Sequence, residues 1–184
     1  MPLYRTYHQL FLLLLTALVS CGSPSKESRT ADLQFVGENA PVQESWDITI
    51  TLDSRGRSRI ELKAAHLSEY RDDKSITREL DGGVEAIFSD SSGVTTATIL
   101  AEKGTIHPNG DLEAFNDVIL TSADRTVIKT SYIKRFASTS RLWTDRYIVI
   151  EKPSETIRGY GLESDDALKN YTIFKASGEA ELKP

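Results

Sequence analysis

Alternation of apolar and polar residues with a period of two is the feature that most constrains how this chain can fold. Ile48, Ile50 and Leu52 alternate with threonines, and the same pattern recurs in residues 59–64 and 84–88. Successive side chains of a strand point to opposite faces of a sheet, so this spacing is typical of strands with one buried face. We therefore predict an essentially all-β domain.

Short polar segments rich in turn-forming residues separate the predicted strands. Three of them are Asp53-Ser54-Arg55-Gly56, Asp90-Ser91-Ser92-Gly93 and Pro108-Asn109-Gly110-Asp111. Glycine and asparagine adopt positive φ angles at low cost, so these segments favour hairpins between antiparallel strands. No stretch has the period of an amphipathic helix, and residues 165–170 can form one helical turn at most.

The predicted strands also repeat at longer range. Apolar runs restart at Ile48, Val84, Val118 and Ile148, at intervals of 30 to 36 residues. Each segment is interpreted as two strands and a shorter third one, the third strands being residues 76–80, 112–116, 141–145 and 171–176. A three-strand unit cannot bury its own apolar face, so successive units must pack around a shared interior. We predict a twisted antiparallel β-jelly roll of about four such repeats, whose interior is either a packed core or a trough left open for a ligand.

The N-terminal segment has a different character. Residues 10–19 read LFLLLLTALV and follow Arg5. This apolar run is too short to cross a hydrocarbon core, which needs about 20 residues. Its length and position are those of the apolar region of a secretory signal peptide, so we expect residues 1–20 to be removed.

The single cysteine of the chain directly follows that segment. The sequence Leu18-Val19-Ser20-Cys21-Gly22 looks like a bacterial lipobox, in which the cysteine is linked to diacylglycerol. We predict lipidation of Cys21, because two or more acyl chains anchor a protein stably to a membrane. The polar residues 21–45 would form the tether, and residues 46–184 the β domain.

Composition and motifs exclude several functional classes. A lipidated Cys21 leaves no thiol for a disulfide, a zinc cluster or a nucleophile. With 22 Lys+Arg against 27 Asp+Glu and a net charge of −5, nucleic-acid binding is not expected. His66 and His107 lack metal-ligand spacing, so neither a metal site nor a cofactor is predicted. The acidic pairs are adjacent in sequence and no Gly-x-Ser-x-Gly motif occurs, so we predict a binding protein and not an enzyme.

One glycine-rich segment has two interpretations. Gly159-Tyr160-Gly161 begins like a phosphate-binding loop, but a serine stands where the third glycine belongs and no helix is predicted after it. We expect the glycines instead to let this strand pass close to another backbone.

The C-terminal third carries a family resemblance. Thr144-Asp145 and Val149, followed by Ile157-Arg158-Gly159-Tyr160-Gly161-Leu162 and Asp165, match a pattern of the LptC family, the periplasmic component of lipopolysaccharide export. The similarity extends over residues 46–182 and is strongest from residue 141 onward. Better-known members of that family are anchored by an uncleaved transmembrane helix, whereas this chain has the lipobox-like segment.

The resemblance implies a fold, a role and partners. It implies a β-jelly roll that receives lipopolysaccharide from an inner-membrane ABC transporter, through the periplasmic domains of LptF/LptG, and passes it to an LptA-like bridge protein. This role would place the lipoprotein on the periplasmic face of the inner membrane. The acyl chains of lipid A would need an apolar interior, and exposed edge strands would pair with neighbouring jelly rolls.

Particular residues follow from this hypothesis. On the alternating pattern, the lipid-binding interior would be lined by Ile50, Ile60, Leu62, Phe88, Ile99, Phe115, Leu120, Ile133, Trp143, Ile148, Ile150 and Phe174. The partner edges would be the first strand, residues 47–52 with Asp47, Ile48 and Thr49, and the last, residues 171–181 with Tyr171, Ile173 and Lys175. The alternative hypothesis is a structural or assembly lipoprotein of the envelope that binds only other proteins through a closed, packed domain.

Overall fold

The alternating segments form ten antiparallel strands in a computed structural model that describes residues 40–53 and 58–176. The prediction of an all-β, antiparallel fold is confirmed, since no helix forms within those ranges. The strands are β1 (Gln43–Asp53), β2 (Ser58–Arg71), β3 (Ile76–Asp90), β4 (Thr95–Ala101), β5 (Lys103–Ile106), β6 (Leu112–Ser122), β7 (Val127–Phe136), β8 (Arg141–Glu151), β9 (Thr156–Asp165) and β10 (Tyr171–Ala176).

All ten strands belong to one sheet. Its order is β1-β2-β3-β4-β6-β7-β8-β9-β10. The short strand β5 follows β4 along the sheet and, like β4, pairs with β3 on one side and with β6 on the other. Each strand therefore pairs with strands close to it in the sequence. The sheet consists of successive hairpins, as expected for a jelly-roll-like fold built from a meander.

Two predicted hairpin turns are confirmed. The Gly93 N–H donates to the carbonyl oxygen of Asp90 at 3.0 Å, and the Gly110 N–H donates to that of His107 at 2.9 Å. Both glycines have a φ angle of +84°, which favours glycine over other residues. The predicted turn at residues 53–56 lies almost entirely outside the described residues.

The predicted third strands are present, but three of them are parts of longer strands. Residues 76–80, 112–116 and 141–145 begin β3, β6 and β8, each of which continues into the run that was expected to open the next repeat. Residues 171–176 alone form a separate strand, β10. The repeat is therefore a hairpin of long strands, in which each long strand has two halves.

The two halves meet at a line of irregularities that crosses the sheet, which we call the seam. Strand register shifts between Ala64 and His66, Phe115 and Val118, Thr130 and Lys134, and Thr144 and Tyr147. Positive φ angles cluster at the same level, at Asp47, Gly82, Gly83, Asn116, Asp117 and Gly161. Such β-bulges bend a strand and increase its twist, so aligned bulges bend the whole sheet.

The distance between Phe88 and Arg135 shows how far the sheet bends. Through successive pairings, Phe88 is level with Ser122 of β6, and Arg135 is level with Leu112 of the same strand. Ten residues of extended strand span about 33 Å. The Arg135 guanidinium carbon nevertheless lies only 6.0 Å from the centroid of the Phe88 ring. The sheet therefore folds back on itself along the seam.

Folding along the seam produces two layers. The first contains β4 and residues 48–53, 58–64, 84–90, 118–122, 127–130, 147–151 and 156–160; the second contains β5 and residues 43–46, 66–71, 76–81, 112–115, 132–136, 141–144 and 162–165, with the start of β10. The edge opposite the seam, where turns of the two layers face each other, is called the mouth.

Candidate functional site: the interior between the layers

A continuous apolar interior lies between the two layers. Both layers contribute to one buried cluster: Ile60, Leu62, Ala64, Val84, Ala86, Phe88, Ala97, Ile99, Val118, Leu120, Ile128, Ile148 and Ile150 from the first, and Leu67, Leu80, Ile106, Leu112, Ile133, Leu142, Leu162 and Leu168 from the second or its turns. Burial of apolar surface on this scale is the main stabilising contribution to the fold.

Most residues predicted to line the interior do face it. Eight are buried in this cluster: Ile60, Leu62, Phe88, Ile99, Leu120, Ile133, Ile148 and Ile150. Ile50 is half-buried and packs against the cluster. Alternation within each half-strand is therefore sufficient to identify the inward face.

Phe115, Trp143 and Phe174 do not face the interior, and their predicted positions were wrong. Phe115 lies on the outer face, where its ring centroid is 5.3 Å from that of Tyr132. Trp143 is half-buried between the inward-facing Leu142 and Thr144. The inward residues of both strands keep one parity across the seam: Leu112, Ala114, Val118 and Leu120 in β6, and Leu142, Thr144, Ile148 and Ile150 in β8. Phe115 and Trp143 are each one position out of step with them and therefore lie on the opposite face.

Phe174 is 51% exposed, because it lies on the outer face of β10, opposite Tyr171 and Ile173, which pack against the core. Its ring lies over Gly161, where an added Cβ would be 2.5 Å from the ring. The side chain thus covers a glycine of the neighbouring strand on the outside of the sheet.

The interior is almost filled in this structure. A cavity of about 30 Å³ is lined by apolar side chains of both layers, including Leu62, Phe88, Ile106 and Ile133, with Arg135 at its border. This volume corresponds to about one water molecule. An acyl chain therefore cannot enter unless the two layers move apart.

Two contacts between the layers close the mouth. One is the stacking of the Arg135 guanidinium on the Phe88 ring. In the other, Lys152 Nζ lies 5.3 Å from the centroid of the Tyr171 ring. Hydrogen bonding to Tyr171, and also to Glu155, raises the pKa of Lys152. Both are non-covalent cation–π contacts, which contribute modestly to stability.

A buried ion pair beside the mouth was not predicted from the sequence. Arg135 donates from Nε and Nη2 to the two carboxylate oxygens of Asp166 at 2.9 and 2.8 Å. The side chains are only 6% and 15% exposed. Burial raises the pKa of Asp166, although Arg135 opposes the shift. The only feature of the sequence that indicates a buried Arg135 is its spacing of two residues from Ile133, which places both side chains on the inward face of β7.

The neighbouring Asp165 has a separate role in the β9–β10 turn. Burial opposes its ionisation, but hydrogen bonds from the Asn170 side chain and from the N–H groups of Lys169, Asn170 and Ala167 hold its pKa below the ordinary value. This turn brings β10 back alongside β9 and presents Asp166 to Arg135. Leu168, 2% exposed, anchors the turn in the core.

The predicted partner strands are the outer strands of the described sheet. β1 and β10 each pair with one described neighbour only, β2 and β9 respectively. Asp47, Ile48 and Thr49 lie in the middle of β1, while Tyr171, Ile173 and Lys175 lie in β10. The backbone of each outer strand is therefore placed to accept a further strand.

The two glycines of the family-like motif permit close packing of β10 on β9. A Cβ added at Gly159 would lie 2.7 Å from the Lys175 carbonyl oxygen and 2.8 Å from Ile173 Cγ2. Gly161 has a φ angle of +75° and faces the Phe174 ring. The expectation that these glycines allow a close approach of two backbones is confirmed.

We expect Gly159→Ala to detach β10 from β9 and to lower the free energy of unfolding by about 1–3 kcal/mol, because the added methyl group overlaps the neighbouring strand. Urea unfolding measures the stability, and amide hydrogen exchange measures protection of residues 172–175. Gly93→Asn is a suitable control, since its Cβ meets nothing within 4 Å and asparagine tolerates a positive φ. Unchanged protection of β10 in the Gly159 variant would contradict the prediction.

The two histidines considered as metal ligands contact carboxylates. His66 lies 3.2 Å from Asp81 and 3.3 Å from Glu44, and His107 lies 3.2 Å from Glu113. Within residues 40–53 and 58–176, no group of three or more His, Cys, Asp or Glu side chains is arranged to hold a metal ion.

Some predictions concern the chain outside the described residues. The signal peptide, Cys21 and most of the tether precede residue 40, and the C-terminal part of the predicted last strand follows residue 176. In the part of the chain that the structure covers, no helix is long and apolar enough to cross a membrane.

Comparison with known families agrees with the family resemblance found in the sequence. A family model described as "Lipopolysaccharide-assembly, LptC-related" matches residues 11–177, nearly the whole chain. A search of curated proteins finds no match.

Proposed function

Because the chain belongs to the LptC family and so to the lipopolysaccharide transport machinery, we propose that it carries the lipid between the two layers of its folded sheet. The observation that supports this most is the continuous apolar interior shared by both layers. Lipid A acyl chains require such an environment, whereas the polar head group requires access to water. The mouth satisfies both needs, because it lies at the boundary between the interior and solvent.

In this proposal the structure represents the closed state. The cavity of about 30 Å³ is too small for acyl chains, so the layers separate at the mouth and bend at the seam when lipid enters. The contacts of Arg135 with Phe88 and of Lys152 with Tyr171 then break. Binding and release require no covalent chemistry, so the protein would act without catalysing a reaction.

The outer strands would determine the direction of transfer. We propose that β1 pairs with the periplasmic domains of the LptF/LptG transporter, and β10 with an LptA-like bridge protein. Each partner would add a strand to the outer edge of β1 or β10 and extend the sheet from one protein to the next. Lipidation of Cys21 would hold the domain at the periplasmic face of the inner membrane, beside the transporter.

Photo-crosslinking in cells tests the proposed lipid path. A benzophenone amino acid at position 88, where Phe88 is 2% exposed in the interior, should capture lipopolysaccharide. The same amino acid at position 174, where Phe174 is 51% exposed on the outer face, should capture little. Equal capture at both positions, or at position 174 alone, would contradict a path between the layers.

The almost filled interior favours a second candidate function, that of an envelope assembly lipoprotein which binds only other proteins. Depletion of the protein separates the two. Loss of lipopolysaccharide from the cell surface supports transport, whereas normal export with altered envelope assembly supports the second function.

A further inference from the structure

Arg135 is a charged group at the border of an otherwise largely apolar interior. Its side chain is 6% exposed and borders the cavity beside Phe88, Ile133 and Leu142. A guanidinium stays protonated under all ordinary conditions. Its burial is costly unless an anion pairs with it, so this position at the border of the apolar interior is suited to hold an anionic group.

The partners of Arg135 show what kind of group this position accepts. Nε and Nη2 each donate to one oxygen of Asp166, at 2.9 and 2.8 Å, and Nη2 also donates to Ser140 Oγ at 3.1 Å. A guanidinium binds two oxygens of a phosphate with the same forked geometry. The hydroxyl of Ser140 can donate to a third phosphate oxygen.

This oxyanion site lies at the mouth. Arg135 stands one residue before the end of β7, Ser140 lies in the β7–β8 turn and Asp166 in the β9–β10 turn. The proposed function places the acyl chains between the layers, and the inference depends on that placement. A phosphate on the lipid head group would then be level with Arg135.

Asp166 can leave the site without becoming an unpaired buried charge. Burial raises its pKa, although Arg135 opposes the shift. The side chain is already 15% exposed and lies in the β9–β10 turn, so a displaced carboxylate can turn towards solvent with that turn. A phosphate also carries more negative charge than the carboxylate that it replaces.

We propose that Arg135 and Ser140 form a binding site for a phosphate monoester on the head group of the transported lipid, and that Asp166 occupies this site until the lipid replaces it. The carboxylate then acts as an internal substitute for the phosphate and keeps the empty protein closed. A lipid without phosphate cannot displace it effectively, so the exchange favours phosphorylated lipids.

The test compares equilibrium binding of lipid A and of the same lipid after removal of its phosphates to the full chain in detergent. We expect wild type to bind the phosphorylated form about tenfold more tightly, since one hydrogen bond to a charged group changes a binding constant by about that factor. Asp166→Asn should increase the preference about tenfold further, because the competing charge is gone while an acceptor for Arg135 remains. Arg135→Met/Asp166→Leu should reduce the preference to about one.

Controls separate recognition from folding. The double variant removes both charges together, and such apolar replacements of a buried pair are usually tolerated. If Asp166→Asn does not fold, the lipid preference of the double variant alone tests the phosphate site. Arg146→Gln, on a side chain 60% exposed at the seam, should leave the preference unchanged. Inorganic phosphate at the same concentration should displace little lipid, because it lacks the acyl chains.

The outcomes also separate this inference from the proposed function. If wild type binds both lipid forms equally, or the double variant keeps the preference, the phosphate site is wrong while lipid carriage stands. If inorganic phosphate competes as strongly as lipid A, the site binds free phosphate and the lipid assignment is overturned. If wild type binds neither lipid form, the proposed function itself fails.

Discussion

Asp166→Ala should lower the free energy of unfolding by about 3–5 kcal/mol, the usual effect of removing one partner from a buried ion pair. The variant leaves the Arg135 guanidinium, 6% exposed, without its carboxylate. Arginine cannot avoid this cost by losing its proton. Urea unfolding of the full chain, followed by tryptophan fluorescence, measures the change.

Removing the other partner of the ion pair, Arg135, should lower the free energy of unfolding by less. In Arg135→Met the remaining Asp166 can be neutralised, since burial already raises its pKa and the opposing guanidinium is gone. Glu163→Ala, which removes the Arg141–Glu163 pair, is a matched surface control. Those side chains are 38% and 43% exposed, so we expect a loss below about 1 kcal/mol. Similar losses for Asp166→Ala and Glu163→Ala would show that the Arg135–Asp166 pair is accessible to water.

Phe88→Ala should lower the free energy of unfolding by about 3–5 kcal/mol, as is typical for a phenylalanine of a packed core. Phe88 is 2% exposed and also provides the ring on which Arg135 stacks. Truncation removes apolar contacts on both sides of the interior. The measurement is again the midpoint and slope of urea unfolding.

Phe174→Ala is the matched comparison, with the same residue type on the outer face. Phe174 is 51% exposed, so we expect a loss of about 1 kcal/mol or less. The pair of variants tests the assignment of faces directly. A larger loss at position 174 than at position 88 would mean that the inward face of the sheet is assigned wrongly.

The strands themselves could be predicted from the sequence, because alternation depends only on neighbouring residues. The long strands that cross the seam could not. Asp81-Gly82-Gly83 and Asn116-Asp117 are composed like hairpin turns, and they separate apolar runs as a turn would. Only the pairing of both flanking segments with the same neighbour identifies such residues as a bulge.

The result for the interior depends on how strictly the alternation was followed. Residues within one half-strand, such as Ile148 and Ile150, keep a constant phase and were assigned correctly. Phe115 is out of step with Leu112, Val118 and Leu120 of the same strand, which all face the interior, so strict alternation along β6 places it outside. Phe174 was misplaced for another reason, since no pattern in β10 indicates that its outer face stays open.

The Arg135–Asp166 pair illustrates what sequence patterns do not contain. The two residues are 31 positions apart, and adjacent carboxylates such as Asp165 and Asp166 indicate an exposed loop. In the structure the two have different functions: Asp165 accepts hydrogen bonds within the turn, and Asp166 pairs with Arg135. Tertiary packing, which the local sequence does not encode, separates their roles.

The sheet order has a consequence for how the domain reaches this fold. Each strand pairs mainly with the strands next to it in the chain, so every hairpin closes only a short loop and the entropy cost of closure stays small. Pairing between strands that are neighbours in the chain favours faster folding than a topology that joins distant strands. A chain that arrives unfolded and from one end can form its hairpins in the order of arrival, without waiting for its last residues.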